Sequence, residues 1–372
     1  MSNSQDFRQP PLCKITVDDE EITDLYPLLI EATVETSRQQ AAICTLVFDS
    51  VRLEDDSWQI QDAGIFLPWK SFKIEANFGD YTEEVMRGYI REVKTDAPEK
   101  MGNAKVFVSC QDESILLDRE HVRKVWSKED ETMTDGDIVS EIASDHFSVE
   151  AETGLTNKSL NQDSTYIQFI RDRAMANGYE SYARTGTFYF QPPNLDEDPQ
   201  PSIMVYKGEK TNCISFNTQH DGHKPDQIKL VRAAETGTET EAELFTPDLT
   251  MLGETAATSE NMGLEAFVWQ MPRPQGNSLE EAKARAQAKA NENAWKIIAD
   301  GELDGSLYGH VLLTHKPVGV YGVGHTYGGL YYVDKVNHVF AQEGYRQAFR
   351  LLRNATGQNT EPESSDSLAA VR

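Results

Sequence analysis

Six short apolar runs fill the first third of the chain with no helical stretch between them. They are Leu12 to Val17, Leu28 to Val34, Ala42 to Phe48, Ser71 to Phe78, Val85 to Val93 and Ala104 to Cys110. Acidic or Gly-bearing turns such as Asp18-Asp19-Glu20 and Phe78-Gly79-Asp80 divide them. Strands so spaced return antiparallel on one another, which predicts a barrel or sandwich over residues 12–125, after a loose polar leader at 1–11.

The period changes after Trp126. Thr134 with Asp137 opens a helix whose Ile138, Val139, Ile142, Ala143 and Phe147 share one face. A second helix is predicted from Asp163 or Ser164 to Asn177, with Gly178 as its stop. Tyr179 to Ala183 and Thr187 to Gln191 then read as a hairpin, completing an α/β helix–hairpin region over 126–205. Strand character returns at Ile203 to Tyr206, Cys213 to Asn217 and Gln227 to Val231. From Ala233 to Met262 there are seven acidic residues and no Lys or Arg, which reads as an extended solvated insertion. Asn277 to Ala299 reads as a helix with a Ser278/Glu281 capping box, an inward stripe of Ala282, Ala286, Ala290, Ile297 and Ile298, and Gly301 past its end. Tyr308 to Thr314, Val318 to Val323, Leu330 to Phe340 and Tyr345 to Leu352 close a second β region, 206–353, interrupted by 233–300. A polar tail occupies 354–372.

Charge narrows the function. The chain carries 35 Lys+Arg against 61 Asp+Glu, a net −26. Nucleic-acid binding as a main role needs a basic surface and is disfavoured. Apolar stretches fall short of a membrane span and the start MSNSQDFRQPP lacks a signal core, so the expectation is a chain without membrane insertion, made in a cytoplasm. Cys13, Cys44, Cys110 and Cys213 form no CxxC pair and read as reduced thiols.

No catalytic pattern emerges. The histidines, His220 and His223 and the C-terminal group His310, His315, His325 and His338, lack the tight local spacing of a zinc site. Glu141, Asp145, Glu180 and Asp334 are carboxylates without a distinguishing partner. There is no G-x-S-x-G, and the glycines from Gly319 to Gly324 precede no helix, so they read as turns or close backbone approach. Tyr321, Tyr327, Tyr331 and Tyr332 could stack on sugars, though such alternation also suits core packing. The expectation is a non-enzyme with no cofactor and no metal.

The order of segments resembles a known family. Asn161-Gln162-Asp163-Ser164-Thr165-Tyr166-Ile167-Gln168-Phe169-Ile170-Arg171, running on to Ala174, Gly178-Tyr179 and Phe188-Tyr189-Phe190, is similar to a signature of contractile-tail baseplate hub proteins. These are the phage late control D and tail-hub family, related to the hub half of type VI secretion spike proteins. Gly328-Gly329-Leu330-Tyr331-Tyr332-Val333, then His338, Gly344-Tyr345, Phe349 and Arg353-Asn354, resembles the family's C-terminal run. Arg87-Gly88-Tyr89-Ile90 matches more weakly. The resemblance spans about residues 10–354.

That resemblance implies an α+β, mainly β fold: two tandem tube-type antiparallel β-barrels with the helix–hairpin region inserted, assembling as a pseudo-sixfold homotrimer. The trimer would adapt a sixfold inner tube, or tube-initiator protein, above to a threefold spike below. Other baseplate components would surround it, first in the bacterial cytoplasm and then in the tail or injection-system baseplate. Since Arg372 is reached with no β-helix, the expected spike is a separate polypeptide. The matching residues (Arg87, Gly88, Asn161, Gln162, Asp163, Tyr166, Phe169, Gly178, Tyr179, Gly328, Gly329, Tyr332, His338, Gly344, Tyr345 and Arg353) carry a structural expectation only. Two other readings stay open: a carbohydrate- or peptidoglycan-binding β-protein, and a hydrolase with an unrecognised carboxylate pair. The net charge suggests a negative tube interior that repels acidic cargo.

Overall fold

The computed structural model describes residues 12–97, 103–127, 131–233, 240–272 and 278–358. The leader 1–11, residues 359–372 of the tail, Asn277 and residues 234–239 of the acidic stretch lie outside them. In chain order the main elements begin with strands β1 (Leu12–Val17), β2 (Leu29–Ser37), β3 (Ile43–Ser50), β4 (Ser71–Asn77), β5 (Thr82–Asp96) and β6 (Ala104–Asp112). The middle holds β7 (His121–Trp126), α1 (Asp135–Ala143), β8 (Ser148–Ala151), β9 (Leu160–Thr165), α2 (Tyr166–Asn177), β10 (Glu180–Arg184) and β11 (Thr187–Gln191). Then come β12 (Gln200–Met204), β13 (Cys213–His220), β14 (Gln227–Ala233), β15 (Thr240–Phe245), β16 (Val268–Met271) and α3 (Leu279–Ala294). The last are β17 (Ile297–Asp304), α4 (Gly305–Tyr308), β18 (Pro317–Tyr321), β19 (Gly329–Ala341) and β20 (Gly344–Arg353).

The fold is α+β and mainly β, organised around one large curled sheet. Its strands lie in the order β13-β17-β20-β19-β2-β3-β6-β5-β4-β1. Glu20–Glu21 extends it past β1, and β18 and β12 branch from β19 to complete thirteen strands. All pairs are antiparallel except β12 with β18. Period-2 alternation builds it: in β3 and β6 every second residue (Cys44, Leu46, Phe48; Val106, Val108, Cys110) is buried. Each large apolar side chain so buried contributes roughly 1.5–3 kcal/mol. Gly88 faces Asp112 across β5 and β6, where a Cβ would meet the Gln111 carbonyl oxygen at 1.9 Å, so only glycine lets the strands approach.

One core lies under β1–β6, around Ile15, Phe48, Ile74 and Val108. A second lies under β17–β20, around Ile297, Leu303, Val333, Phe349 and Leu351. The helix–hairpin region has its own, with Trp126, Ile138, Ile170, Phe188 and Phe190. A fourth small cluster packs Ile228 and Leu230 of β14 under Ala282, Ala286 and Ala290 of α3. No helix of the described residues is long and apolar enough to cross a membrane.

Several sequence-based expectations shift. α2 starts at Tyr166 on a Thr165 N-cap, because Leu160–Thr165 pairs with β7 instead of opening the helix. α3 ends at Ala294; Ile297 and Ile298 are strand residues, and Gly301 sits mid-strand, where a Cβ would meet the Ser215 carbonyl at 2.4 Å. The β-branched pair continues the alanine stripe in spacing but suits the pleated sheet better. The acidic stretch is not wholly solvated: Leu252 and Ala257 are buried and Thr240–Phe245 pairs with β14. Tyr308 to Thr314 is not a strand. Side chains replace the strand partner, Gln347 binding Leu312 N and the His310 carbonyl, Gln200 binding Leu313 N and its carbonyl, and Glu83 accepting from Val311 N.

Candidate functional site

The feature that sets this molecule apart is a seam. β2 and β19 pair from Lys335 opposite Ser37 to Phe340 opposite Ala32, so the sheet of the N-terminal half runs unbroken into that of the C-terminal half. The joined sheet ends at β13 on one side and at β1 with its two-residue extension on the other. Residues of β13 are mostly exposed, Ile214 at 49%. Among the described residues, no further strand pairs with β13 beyond β17. Open edges of this kind attract strand pairing.

Register and alternation give the sheet one continuous solvent-side face. Across it run Asn217, Asp300, Arg350, Lys335, then Asn337, Glu35, Ile43 and Gln111 in adjacent registers. Three of its cations are paired: Arg350 Nε donates to Asp300 at 2.8 Å, Arg346 to Glu302 at 3.2 Å, and Lys335 reaches Glu35 at 2.7 Å.

Behind the seam lies a buried ionic junction. Arg38, one residue past β2, donates its backbone N–H to the Asp334 carbonyl and its guanidinium to Asp334, Glu180 and Glu292 at 3.1–3.3 Å. It therefore ties the seam to the hairpin strand β10 and to α3. Glu180 also accepts from Tyr332 Oη at 2.7 Å and from His315 Nδ1 at 2.9 Å. Burial alone would raise the Glu180 carboxyl, but its partners pull it below the ordinary carboxylate range. Burial pushes His315 below the ordinary imidazole value, while Glu180 pulls it the other way, and Arg38 supplies a fixed charge to the junction. Beside the junction opens a cleft of about 750 Å³ between α2, α3 and β16.

The sequence-singled residues spread over the fold instead of converging. Arg87 pairs with Glu84 next to Gly88. On β9, Asn161 stands opposite Val125, Gln162 accepts from Trp126 Nε1, and Asp163 bridges His121 and Arg123. Tyr166 opens α2, Phe169 stacks on Trp126, Gly178 caps α2 at φ +70°, and Tyr179 packs its ring edge-on to Phe190. Gly328 N–H donates to the Gly324 carbonyl, Gly329 starts β19 at φ +117°, and Gly344 turns β19 into β20 at φ +108°. His338 meets Tyr345 Oη at 2.8 Å in the core, its pKa pushed by burial down to about 3. Arg353 is fully buried and holds the carbonyls of Leu252, Thr326 and Gly357. Of this set only Tyr332 enters the junction. Tyr321, Tyr331 and Tyr332 are buried and offer no sugar platform. Among the described residues no three His, Cys, Asp or Glu side chains could share a metal ion.

Arg38, Glu292 and the Asp135–Arg173–Glu281 network (Arg173 Nε to Asp135 at 2.8 Å, Nη1 to Glu281 at 3.3 Å) escaped sequence reading. Their partners are 38 to 254 residues apart; of the carboxylates only Glu180 and Asp334, as undistinguished ones, and Glu281, as a helix-cap acid, had been named.

A family model described as the Alg8 N-terminal domain matches residues 9–342. No curated protein matches the sequence. Among solved structures, the 43 kDa tail protein of prophage MuSo2 from Shewanella oneidensis is 12% identical, with a TM-score of 0.68 over 93% of this chain and 99% of its own. A tail protein from Neisseria meningitidis MC58 is 12% identical, with a TM-score of 0.64 over 93% and 97%. The Escherichia coli c3393 protein, described as a type VI secretion component with structural similarity to the T4 tail proteins gp27 and gp5, is 12% identical, with a TM-score of 0.55 over 94% and 80%. The fold is thus that of phage tail proteins and of a related secretion component.

Proposed function

The chain belongs to the Alg8 N-terminal domain family, and from its tail-protein fold we propose that it is the structural hub of a contractile injection apparatus. In this reading it is a homotrimer that adapts a sixfold inner tube above to a threefold spike below. It is not an enzyme, and it is assembled in the bacterial cytoplasm before taking its place in the baseplate. The observation that carries this is the seam. One chain with two sheet-bearing halves joined edge to edge, and open at β13 and β1, is the unit from which three copies make a closed six-part ring. Heterologous contacts between those edges would give each exposed strand a partner.

The solvent-side sheet face is then the conduit wall, and its pairing of Arg350, Arg346 and Lys335 with acids keeps that wall from being uniformly negative. Cargo would glide over compensated charge.

The test is the mass of the purified chain by light scattering on a size-exclusion column, alone and with the neighbouring candidate spike protein. A trimer, or a monomer that becomes a trimer with the spike, is expected. A chain that stays monomeric in both conditions overturns the hub.

A further inference from the structure

The cleft beside the ionic junction has a composition unlike the rest of this acidic chain. β14 and β16 pair in parallel, with Ile228 beside Trp269 and Leu230 beside Met271, so these four side chains share one face of a small sheet. α3 covers Ile228 and Leu230 with Ala282, Ala286 and Ala290. Trp269 and Met271 of the same face line the cleft, Met271 packing against the α3 cluster as well. From the other side α2 contributes Met175, 62% exposed, and its Gly178 cap lies close against Ala288 of α3. Buried Trp295 also lines the space.

Cations line the same cleft. Arg171 of α2 and Lys289 of α3 both line it without an ion pair among the described residues, Arg171 also lying within reach of the buried Asp112 charge, whereas Arg285 is held by Glu281 and Arg38 by its three carboxylates; Asp172, Glu180 and Glu292 line the cleft too. On a chain of net charge −26, a lining of four cations (Arg38, Arg171, Arg285, Lys289) against three carboxylates (Asp172, Glu180, Glu292) over an apolar strip is a local reversal of sign. Among the described residues β16 is, moreover, the terminal strand of its three-stranded sheet, with Val268 and Trp269 more than 40% exposed. A strand edge beside apolar recesses suits an extended chain that adds to the sheet and places alternate side chains in the recesses. Arg and Lys flanking such a groove select carboxylates.

We propose that this cleft is a docking site for an extended acidic peptide of another protein, one that carries large apolar side chains at alternate positions and adds to the edge of β16. Its apolar residues lie over Trp269, Met271 and Met175, and its carboxylates meet Arg171 and Lys289. The cleft volume of about 750 Å³ takes a few side chains, not a folded domain. The proposal does not depend on the trimer, and it is read on monomer and trimer alike.

The experiment is fluorescence anisotropy with the full chain and a fluorescein-labelled dodecapeptide of alternating Glu and Leu with one central Tyr. A version with Lys for Glu and a version N-methylated at alternate residues serve as controls. The Glu peptide is expected to bind and both controls to bind at least tenfold more weakly. Lys289→Glu, on the exposed flank of α3, and Trp269→Ala should each weaken the Glu peptide at least fivefold while far-UV circular dichroism is unchanged. Equal binding of the Lys peptide, or unchanged affinity in Lys289→Glu, overturns the proposal. Binding that appears only after residues 359–372 are removed also overturns it, by assigning the cleft to the chain's own tail.

Discussion

The two halves of the joined sheet are held in different ways. Under β1–β6 the interior is almost wholly apolar, with Ile15, Phe48, Phe72, Ile74 and Val108 at or near zero exposure and few buried polar side chains. Under β17–β20 the core is laced with buried polar groups: Lys296 paired with Asp226, Gln347, His338, Arg353, Asn354, and the junction of Glu180 and His315 nearby. Gln347, Arg353 and Asn354, and Asp226 through the N–H groups of Ser259 and Phe267, fasten segments that are not strands, whereas His338 bonds Tyr345 of β20. Alternation suffices for a half built of successive strands and short links. A half interrupted by α3 and by residues 240–272 needs side chains that bind backbone where no strand does.

The largest break in that comparison should come from the junction. Arg38→Ala leaves Glu180 buried without its fixed cation, and losing one partner of a buried pair costs about 3–5 kcal/mol. Denaturant unfolding would show it, and a loss under about 1 kcal/mol would mean that the junction is dispensable.

Acid should find the same half. His338 has a folded pKa of about 3, below the ordinary imidazole value of about 6.5 in an unfolded chain. As pH falls below about 6.5 the unfolded chain takes up a proton that the native core refuses, so stability declines steadily down to about pH 3. The lowered Glu180 carboxyl acts with the same sign, its contribution being present at neutral pH and lost in acid. His338→Gln can still bond Tyr345 and does not titrate, so its stability should fall less steeply over that window. A slope equal to that of the parent would remove His338 from the account.

Next in size is Gln347→Leu. It strands Leu312 N–H and the His310 carbonyl, each bonded among the described residues through Gln347, at about 1–3 kcal/mol. Hydrogen exchange should quicken at Leu312 more than within β3 or β6, which would sharpen the contrast between the halves. Uniform quickening would argue that the segment after α4 is not separately fastened.

This contrast also explains what could be read in advance. β1, β3, β4 and β6 were legible within a residue or two, because alternate burial leaves a period of two in the sequence. The Thr134 and Ser278 caps and the Gly178 stop were legible because they act over three or four residues. Tyr308 to Thr314 was misread because Val311 and Leu312 are buried like strand residues while their backbone is bonded by side chains far away in sequence. Arg38 was invisible for the same reason, since Glu292 lies 254 residues on. Gly178→Val tests the legible kind: φ +70° and a Cβ 3.0 Å from that of Ala288 both oppose it, so about 1 kcal/mol or more should be lost. Unchanged stability would refute the cap.

The smallest effect should fall on the solvent-side face. Arg350 and Asp300 are each about half exposed, and exposed pairs of this kind contribute about 0–1 kcal/mol. Arg350→Ala should therefore hardly alter the stability of the chain. If the face lines a conduit, though, removing the cation leaves Asp300 uncompensated on its wall, and the consequence belongs to transit, not folding. A variant with normal stability, normal trimer mass and impaired cargo delivery would separate the two roles of the sheet. A stability loss near that of Arg38→Ala would instead show that the outer pairs hold the seam as firmly as the buried junction does, and the distinction between the sheet's two faces would fall.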